Sequence, residues 1–303
     1  MSDTPKILDR TDWGLLVLLS VLWGATFFFA GIAVAEVPPL TVVLARVMLA
    51  ALLLLPLFWM SGFRLPRSAG EWMPFFVMGL LNNVIPFGFL FAAQTLISVG
   101  LTSIVNAMTP LFTILVMAAF GVERLTGSRI AGVVLGVVGV AVLRGVGGPL
   151  GGPETIGILL GLVGTLSYGF AALWARRRLQ GVPPLRSATC QLLSSTVLMI
   201  PVVALFDQPW TFGMPSTNAV LSIVALAIFG TAIAYIVFFR IIERAGASNV
   251  MLVTLLIPVS AISLGAMFLN EPIRFQEIAG ALIIGLGLLF IDGRLPRRLG
   301  LGQ

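Results

Sequence analysis

The side chains of this sequence that could do chemistry are of a kind that binds rather than makes bonds. Arg46 is the one charge set well inside an apolar run, seven residues past Pro39. At 1.5 Å per helical residue that is roughly 10 Å into the run. An ionisable group at such a depth costs roughly 2.5–3.5 kcal/mol on insertion scales, so its presence needs a reason. Two readings stand. Arg46 is a cation beside a solute pathway that attracts a carboxylate, or it is a structural cation bracing its helix by snorkelling or by pairing with backbone carbonyls. Around it in sequence are neutral polar residues: Asn82, Asn83, Gln94, Ser103, Asn106, Ser248, Asn249 and Thr254, with Tyr168 and Tyr235. Trp23, Phe27 and Trp174 accompany them. A buried amide must find partners across helices or in a wet cavity. As a set these residues suit a neutral or zwitterionic amphipathic solute.

Bond-making chemistry has no such set. The chain has no histidine and a single cysteine, Cys190, which cannot form an internal disulfide. Glu123, Glu243 and Glu271 fall at the ends of apolar runs, not within them. No nucleophile–base pair or cluster of metal ligands is present, so an enzyme is not expected, nor a cofactor or metal. The lack of a mid-run carboxylate or histidine relay gives no sign of strong proton coupling, and facilitated movement down a gradient fits at least as well.

The elements that position these residues are membrane spans. Of the 303 residues 58% are hydrophobic and 10% charged, too few charges to cover a water-facing surface. Apolar runs of about 20 residues recur, each long enough to cross roughly 30 Å of hydrocarbon. They are continuously apolar rather than alternating, which predicts helices and not a barrel. The runs predict ten spans at about 13–34, 39–60, 72–97, 100–121, 129–146, 155–177, 185–205, 217–240, 247–269 and 275–292. With the N-terminus cytoplasmic, Lys6 and Arg10 and the arginines at 64, 67, 124, 129, 176, 177, 178, 186, 240, 244, 294, 297 and 298 fall on the cytoplasmic side. Only Arg144 and Arg274 fall outside. This asymmetry predicts both termini inside, with short tails at 1–12 and 293–303. It also assigns the net charge of +6 to topology and excludes a nucleic-acid partner.

A repeat divides the chain. VPPL occurs at Val37–Leu40 and again at Val182–Leu185. At the same offset Gly24 meets Gly169, Trp23 meets Tyr168, and Arg46 meets Gln191. Later in each half Pro110, Glu123, Gly132 and Gly139 match Pro258, Glu271, Gly280 and Gly287. The halves are 13–146 and 154–292, five spans each. Five is odd, so the second enters the membrane from the opposite side, as in secondary transporters. Pro86, Pro110 and Pro258 interrupt helix hydrogen bonding and are candidate kinks or hinges. Glu123 and Glu271 are expected as helix-turn elements. The GxxxG pairs Gly132–Gly136 and Gly157–Gly161 are expected to pack internally, which predicts a working monomer, a dimer being the alternative.

At this point the sequence resembles the EamA-type members of the drug/metabolite transporter superfamily. The resemblance is carried by LWGATFFF, Pro38–Pro39, Arg46 and the Glu123 turn. In the second half it is carried by FGTAIAYIVFFRIIERAGASNVMLVTLLIPVSAISLGAMFLNEPI. It covers about residues 13–292. It implies a ten-helix membrane protein whose first, third, fourth, sixth, eighth and ninth spans surround a central cavity. It implies a place in the bacterial inner membrane and export of amino acids or other small metabolites by alternating access. Export of other metabolites or amphipathic drugs is the alternative within transport, and a membrane scaffold or sensor the alternative outside it. The candidate polar and aromatic residues fall on those six spans. The polar residues of the seventh, including Gln191, Ser194 and Ser195, are read as packing.

Overall fold

The computed structural model describes residues 9–145, 152–245, 250 and 252–292. Among them there are ten helices and no strand. In chain order they are α1 (Arg10–Val34), α2 (Pro39–Met60), α3 (Ala69–Gln94), α4 (Val99–Ala119), α5 (Gly127–Arg144), α6 (Pro153–Arg178), α7 (Pro184–Phe206), α8 (Thr217–Ala245), α9 (Val253–Phe268) and α10 (Phe275–Asp292). The first eight are long and apolar enough to cross a membrane, and α9 and α10 are shorter apolar helices. Large apolar side chains such as Leu52, Val134, Val137 and Leu282 are more than half exposed, as a lipid-facing surface requires.

Short polar signals set the helix ends. Asp9 caps α1 through a reciprocal pair with Asp12, each accepting the other's backbone N–H, which starts the helix three residues before the expected span. Ser68, Ser98, Thr126 and Ser216 each accept a backbone N–H from the first turn of α3, α4, α5 and α8. The two VPPL segments start α2 and α7 alike, with a proline at the first helical position and closely matched backbone angles in the residue before it. Asn270 takes a left-handed conformation (φ 55°), which asparagine tolerates, and so turns the chain sharply after α9.

Two helices widen near their middle. Leu80–Val84 in α3 and Ile228–Ile233 in α8 are π-helical turns, the second beginning 148 residues after the first. A third helix, α4, is broken between Asn106 and Thr109, just before Pro110. Pro258 lies inside α9 without ending it.

The most extensive helix pairings all join an early helix to a late one: α5 with α10, α2 with α7, α1 with α9, and α3 and α4 with α6. Glycines permit the closest of these. A Cβ at Gly132 would stand 2.6 Å from the Gly287 carbonyl oxygen, and one at Gly280 2.9 Å from that of Gly139. The α5 and α10 backbones therefore touch directly. Gly136 faces Leu111, Gly157 faces Ile97 and Gly161 faces Val105, so both GxxxG pairs are used within the chain. Cys190 is fully buried on α7 in a cluster with Phe58, Phe75 and Leu179.

Candidate solute-binding site

The two π-turns bring the candidate polar residues together. A π-turn spends one more residue per turn than an α-helix and leaves carbonyls out of the regular ladder. In α3 the turn carries Asn82 and Asn83. Asn83 is fully buried and donates to Ser195 Oγ on α7 at 2.9 Å, while Ser195 Oγ lies 2.7 Å from the Gln191 carbonyl. Asn82 Nδ2 reaches Gln191 Oε1 at 3.4 Å and also lies against the Tyr235 phenol. The Leu81 carbonyl within the turn accepts from Ser167 Oγ of α6 at 2.7 Å. So Gln191 and Ser195 of the seventh helix do pack, and what they pack against is the pair of site amides.

In α8 the turn carries Gly230 and Thr231. Arg46, only 4% exposed, reaches it from α2. Its Nε donates to Thr231 Oγ1 at 3.0 Å and its Nη2 to the Gly230 carbonyl at 3.3 Å. The guanidinium stands 3.9 Å from the centre of the Phe87 ring and 5.7 Å from that of Phe91, the two rings being stacked on α3. Tyr168 of α6 and Tyr235 of α8 pack in the same cluster as Phe87 and Phe91. Arg46 thus pairs with a backbone carbonyl, as one of the two sequence readings required, but across helices rather than along its own.

An aromatic run leads away from this cluster. Tyr235 meets Phe239 (5.9 Å between ring centres), Phe239 meets Phe238 (5.4 Å), and Phe238 meets Trp23 of α1 (5.5 Å). All four rings are only partly buried, as is Tyr168. On α4 Asn106 sits at the helix break. Its Oδ1 is buried and takes no hydrogen bond among the described residues, as is true of Gln94 Oε1 and Ser194 Oγ. Thr254 lies half-buried on α9, at the position matching Asn106 in the other half.

Other candidates lie elsewhere. Phe27 is buried against α8 and α9, and its carbonyl accepts from Gln94 Nε2 at 2.8 Å. Ser103 is fully buried and bonds back to the Gly100 carbonyl of its own helix. Trp174 donates to the Pro74 carbonyl at 3.0 Å, stapling α6 to α3, with the Arg178 guanidinium beside its ring. Ser248 and Asn249 are outside the described residues. Pro86 directly follows the α3 π-turn, where its missing N–H falls at the start of the next helical segment. A groove of about 530 Å³ between α1, α8 and α9, lined by Phe29, Ile32, Leu221, Ser222 and Phe268, has no charged side chain and lies apart from the cluster.

The two glutamates do more than mark turns, and they act differently. Glu271, turned back by Asn270, accepts from the backbone N–H of Val99 at 2.9 Å and of Gly100 at 3.4 Å. It satisfies the first free donors of α4, which the helix cannot satisfy itself. Glu123 instead pairs with Arg129 (3.0 Å) and Arg176 (3.2 Å) on the arginine-rich face. Outside the spans, Glu36 takes both Ser216 N–H (2.7 Å) and Ser216 O–H (2.6 Å), which holds its carboxyl below the ordinary value.

Charged, amide and aromatic groups gathered between ten apolar helices are the plan of a carrier, and comparison with known proteins decides which one. The profile of the EamA-like transporter family matches twice, over residues 13–145 and 155–292. The chain belongs to the EamA-like transporter family. Among the relatives of this EamA-like protein, the uncharacterized transporter YvbV of Bacillus subtilis is 25% identical over 95% of this chain and 93% of its own. The uncharacterized inner membrane transporter YedA of Escherichia coli K12 is 28% identical over 93% and 91%. A probable amino-acid metabolite efflux pump of the same organism is 27% identical over 93% and 94%. A solved crystal structure superimposes with a TM-score of 0.65 at 21% identity, over 96% of this chain and 99% of the other, and supports the fold alone. These relatives are named as transporters and not as enzymes, in line with the absence of a nucleophile–base pair from the sequence.

Proposed function

We propose that this EamA-like protein is a secondary transporter that exports small neutral or zwitterionic metabolites, amino acids foremost, from the bacterial cytoplasm. The observation that carries the reading is the cluster itself. Arg46, Asn82, Tyr168 and Tyr235 come from four helices to one packed region. Few fixed charges among many amides, phenols and rings suit a zwitterion better than a polyphosphate. The amino-acid metabolite efflux pump among the relatives points the same way.

The mechanism that goes with this reading is alternating access by two inverted halves, with both termini in the cytoplasm. Its support is an asymmetry between the two ends of the molecule. At the end away from the arginine-rich face, the first part of α4 packs on α9 and Glu271 ties the two together. Toward the arginine-rich face, the second part of α4 packs mainly on α6, and the last part of α8 mainly on α1, with Arg244 bonded to Asp9 and Asp12. At each end a helix of one half packs on a helix of the other, so what differs between the ends is which helices pair: α4 with α9 at one, α4 with α6 and α8 with α1 at the other. With no carboxylate paired with Arg46 among the described residues, facilitated export is the simplest energetics.

Counterflow in proteoliposomes against a panel of amino acids, amines and sugars tests the reading. Saturable exchange of at least one amino acid is expected, reduced several-fold in Trp23→Ala and Asn106→Ala. No exchange above empty liposomes for any amino acid would overturn it.

A further inference from the structure

Arg46 poses a problem that its hydrogen bonds do not solve. The chain has twelve carboxylate side chains, and those of the described residues lie in loops or in the end turns of helices. None forms an ion pair with Arg46. A guanidinium has five N–H donors. Nε and one Nη2 donor are engaged by Thr231 and Gly230. No hydrogen bond from Nη1 is formed among the described residues. The Phe87 face offsets part of the charge but neutralises none of it.

The other half of the molecule shows that bracing a π-turn needs no charge. Gln191 occupies on α7 the place that Arg46 occupies on α2. It and Ser195 hold the α3 turn through neutral bonds to Asn82 and Asn83. A glutamine or a longer amide at position 46 would serve a purely mechanical joint, without the desolvation of a cation. The charge is therefore surplus to the joint. Its remaining donors form half of the planar fork that pairs with a carboxylate, and Tyr168 and Tyr235, which carry phenolic O–H groups, pack in the same cluster as the Phe87 and Phe91 rings that the guanidinium faces.

From this we infer that Arg46, flanked by Tyr168 and Tyr235, is the subsite for the carboxylate of the transported solute, which serves as the missing counter-ion. This rests on the transport reading above and narrows it: a carboxylate is required, and amines and sugars without one are poor solutes. The subsite discriminates by charge, so replacing the carboxylate with a carboxamide of the same shape removes the interaction and keeps the rest of the solute.

The test uses the purified full chain and acid–amide pairs, L-leucine with L-leucinamide and L-phenylalanine with L-phenylalaninamide. Thermal protection in detergent measures binding, and counterflow in proteoliposomes measures transport. At least one acid is expected to bind about ten- to a hundredfold more tightly than its amide, the range of a charge-assisted hydrogen bond. In Arg46→Gln the preference is lost, and in Arg46→Lys it is reduced but kept. Should Arg46→Gln fail to fold, Tyr168→Phe and Tyr235→Phe provide the second reading, each lowering the acid preference several-fold at unchanged melting temperature. Equal binding of acid and amide by the wild type, no protection by any acid, a preference that survives in Arg46→Gln, or one unmoved in both tyrosine variants would overturn the inference. Protection by chloride that no carboxylate displaces would do the same. Arg46-dependent acid binding without counterflow would refute transport and leave the subsite standing. Counterflow with equal rates for acid and amide would do the reverse.

Discussion

The π-turn of α3 and the π-turn of α8 occupy matching places in the two halves, and each is held from outside by the second helix of the other half. On the α3 side the holding groups are Gln191 and Ser195, and every bond is neutral. On the α8 side the holding group is Arg46, which bonds a hydroxyl and a carbonyl and brings a full charge. The same backbone device is thus kept twice while its chemistry is allowed to differ. What the repeat preserves is the mechanical joint. What it varies is the holding group, a neutral amide and hydroxyl at one turn and a cation at the other, and on the proposal above the cation is the group offered to a solute.

The strongest way to break this comparison is to truncate both joints. Arg46→Ala is expected to lower counterflow by about a hundredfold, because it removes a charge-assisted contact and strands Gly230 and Thr231. Gln191→Ala is expected to cost less than about fivefold, since its bond to Asn82 is long and neutral. Equal losses in the two would mean that both halves contribute only mechanics. A second comparison is between the two glutamates. Glu271→Ala removes the cap on α4 and is expected to cost about 1 kcal/mol, seen as a fall of roughly 2–4 °C in melting temperature. Glu123→Ala breaks only partly exposed ion pairs and is expected to stay well below that, within about 0–0.5 kcal/mol. Ser195→Ala leaves the fully buried Asn83 amide short of one partner and is expected to cost about 1–3 kcal/mol, with solute preference unchanged.

The smallest effect concerns pH. Glu36 is held below its ordinary value near 4.5 by Ser216. Its folded value is depressed, so the contact adds stability above that ordinary value and loses it as pH falls through the lower folded one. The difference in melting temperature between Ser216→Ala and the wild type should therefore narrow as pH drops below about 4.5, down to the pH-independent loss of the α8 cap. A difference that widens in acid would remove Glu36 from the account.

Much of the fold was legible in the sequence because lipid imposes strong demands. Continuous apolar runs gave the ten helices, VPPL gave the starts of α2 and α7, and Gly132, Gly139, Gly280 and Gly287 lay where α5 and α10 touch. Arg46 stood out because a charge inside an apolar run has no bland surroundings. The π-turns did not stand out. A helix that is apolar on all sides has no polar face against which one extra residue per turn would register, so the phase shift at Asn82–Asn83 left no periodic trace. Gln191 and Ser195 were set aside as packing because their partners lie more than a hundred residues away in sequence. The matching of Arg46 with Gln191 was the available signal. In sequence Glu271 is a turn element beside Pro272, and only the tertiary fold brings Val99 to it.

Cys190 has a practical consequence. The sole thiol of the chain is sealed beneath Phe58 and Phe75 and has no exposed surface. In the native protein, maleimides should leave it unmodified until the fold is lost. The wild-type sequence is therefore already a silent background for spectroscopy. Reporter cysteines placed singly or in pairs on α4 and α9 can be labelled without first removing a native one.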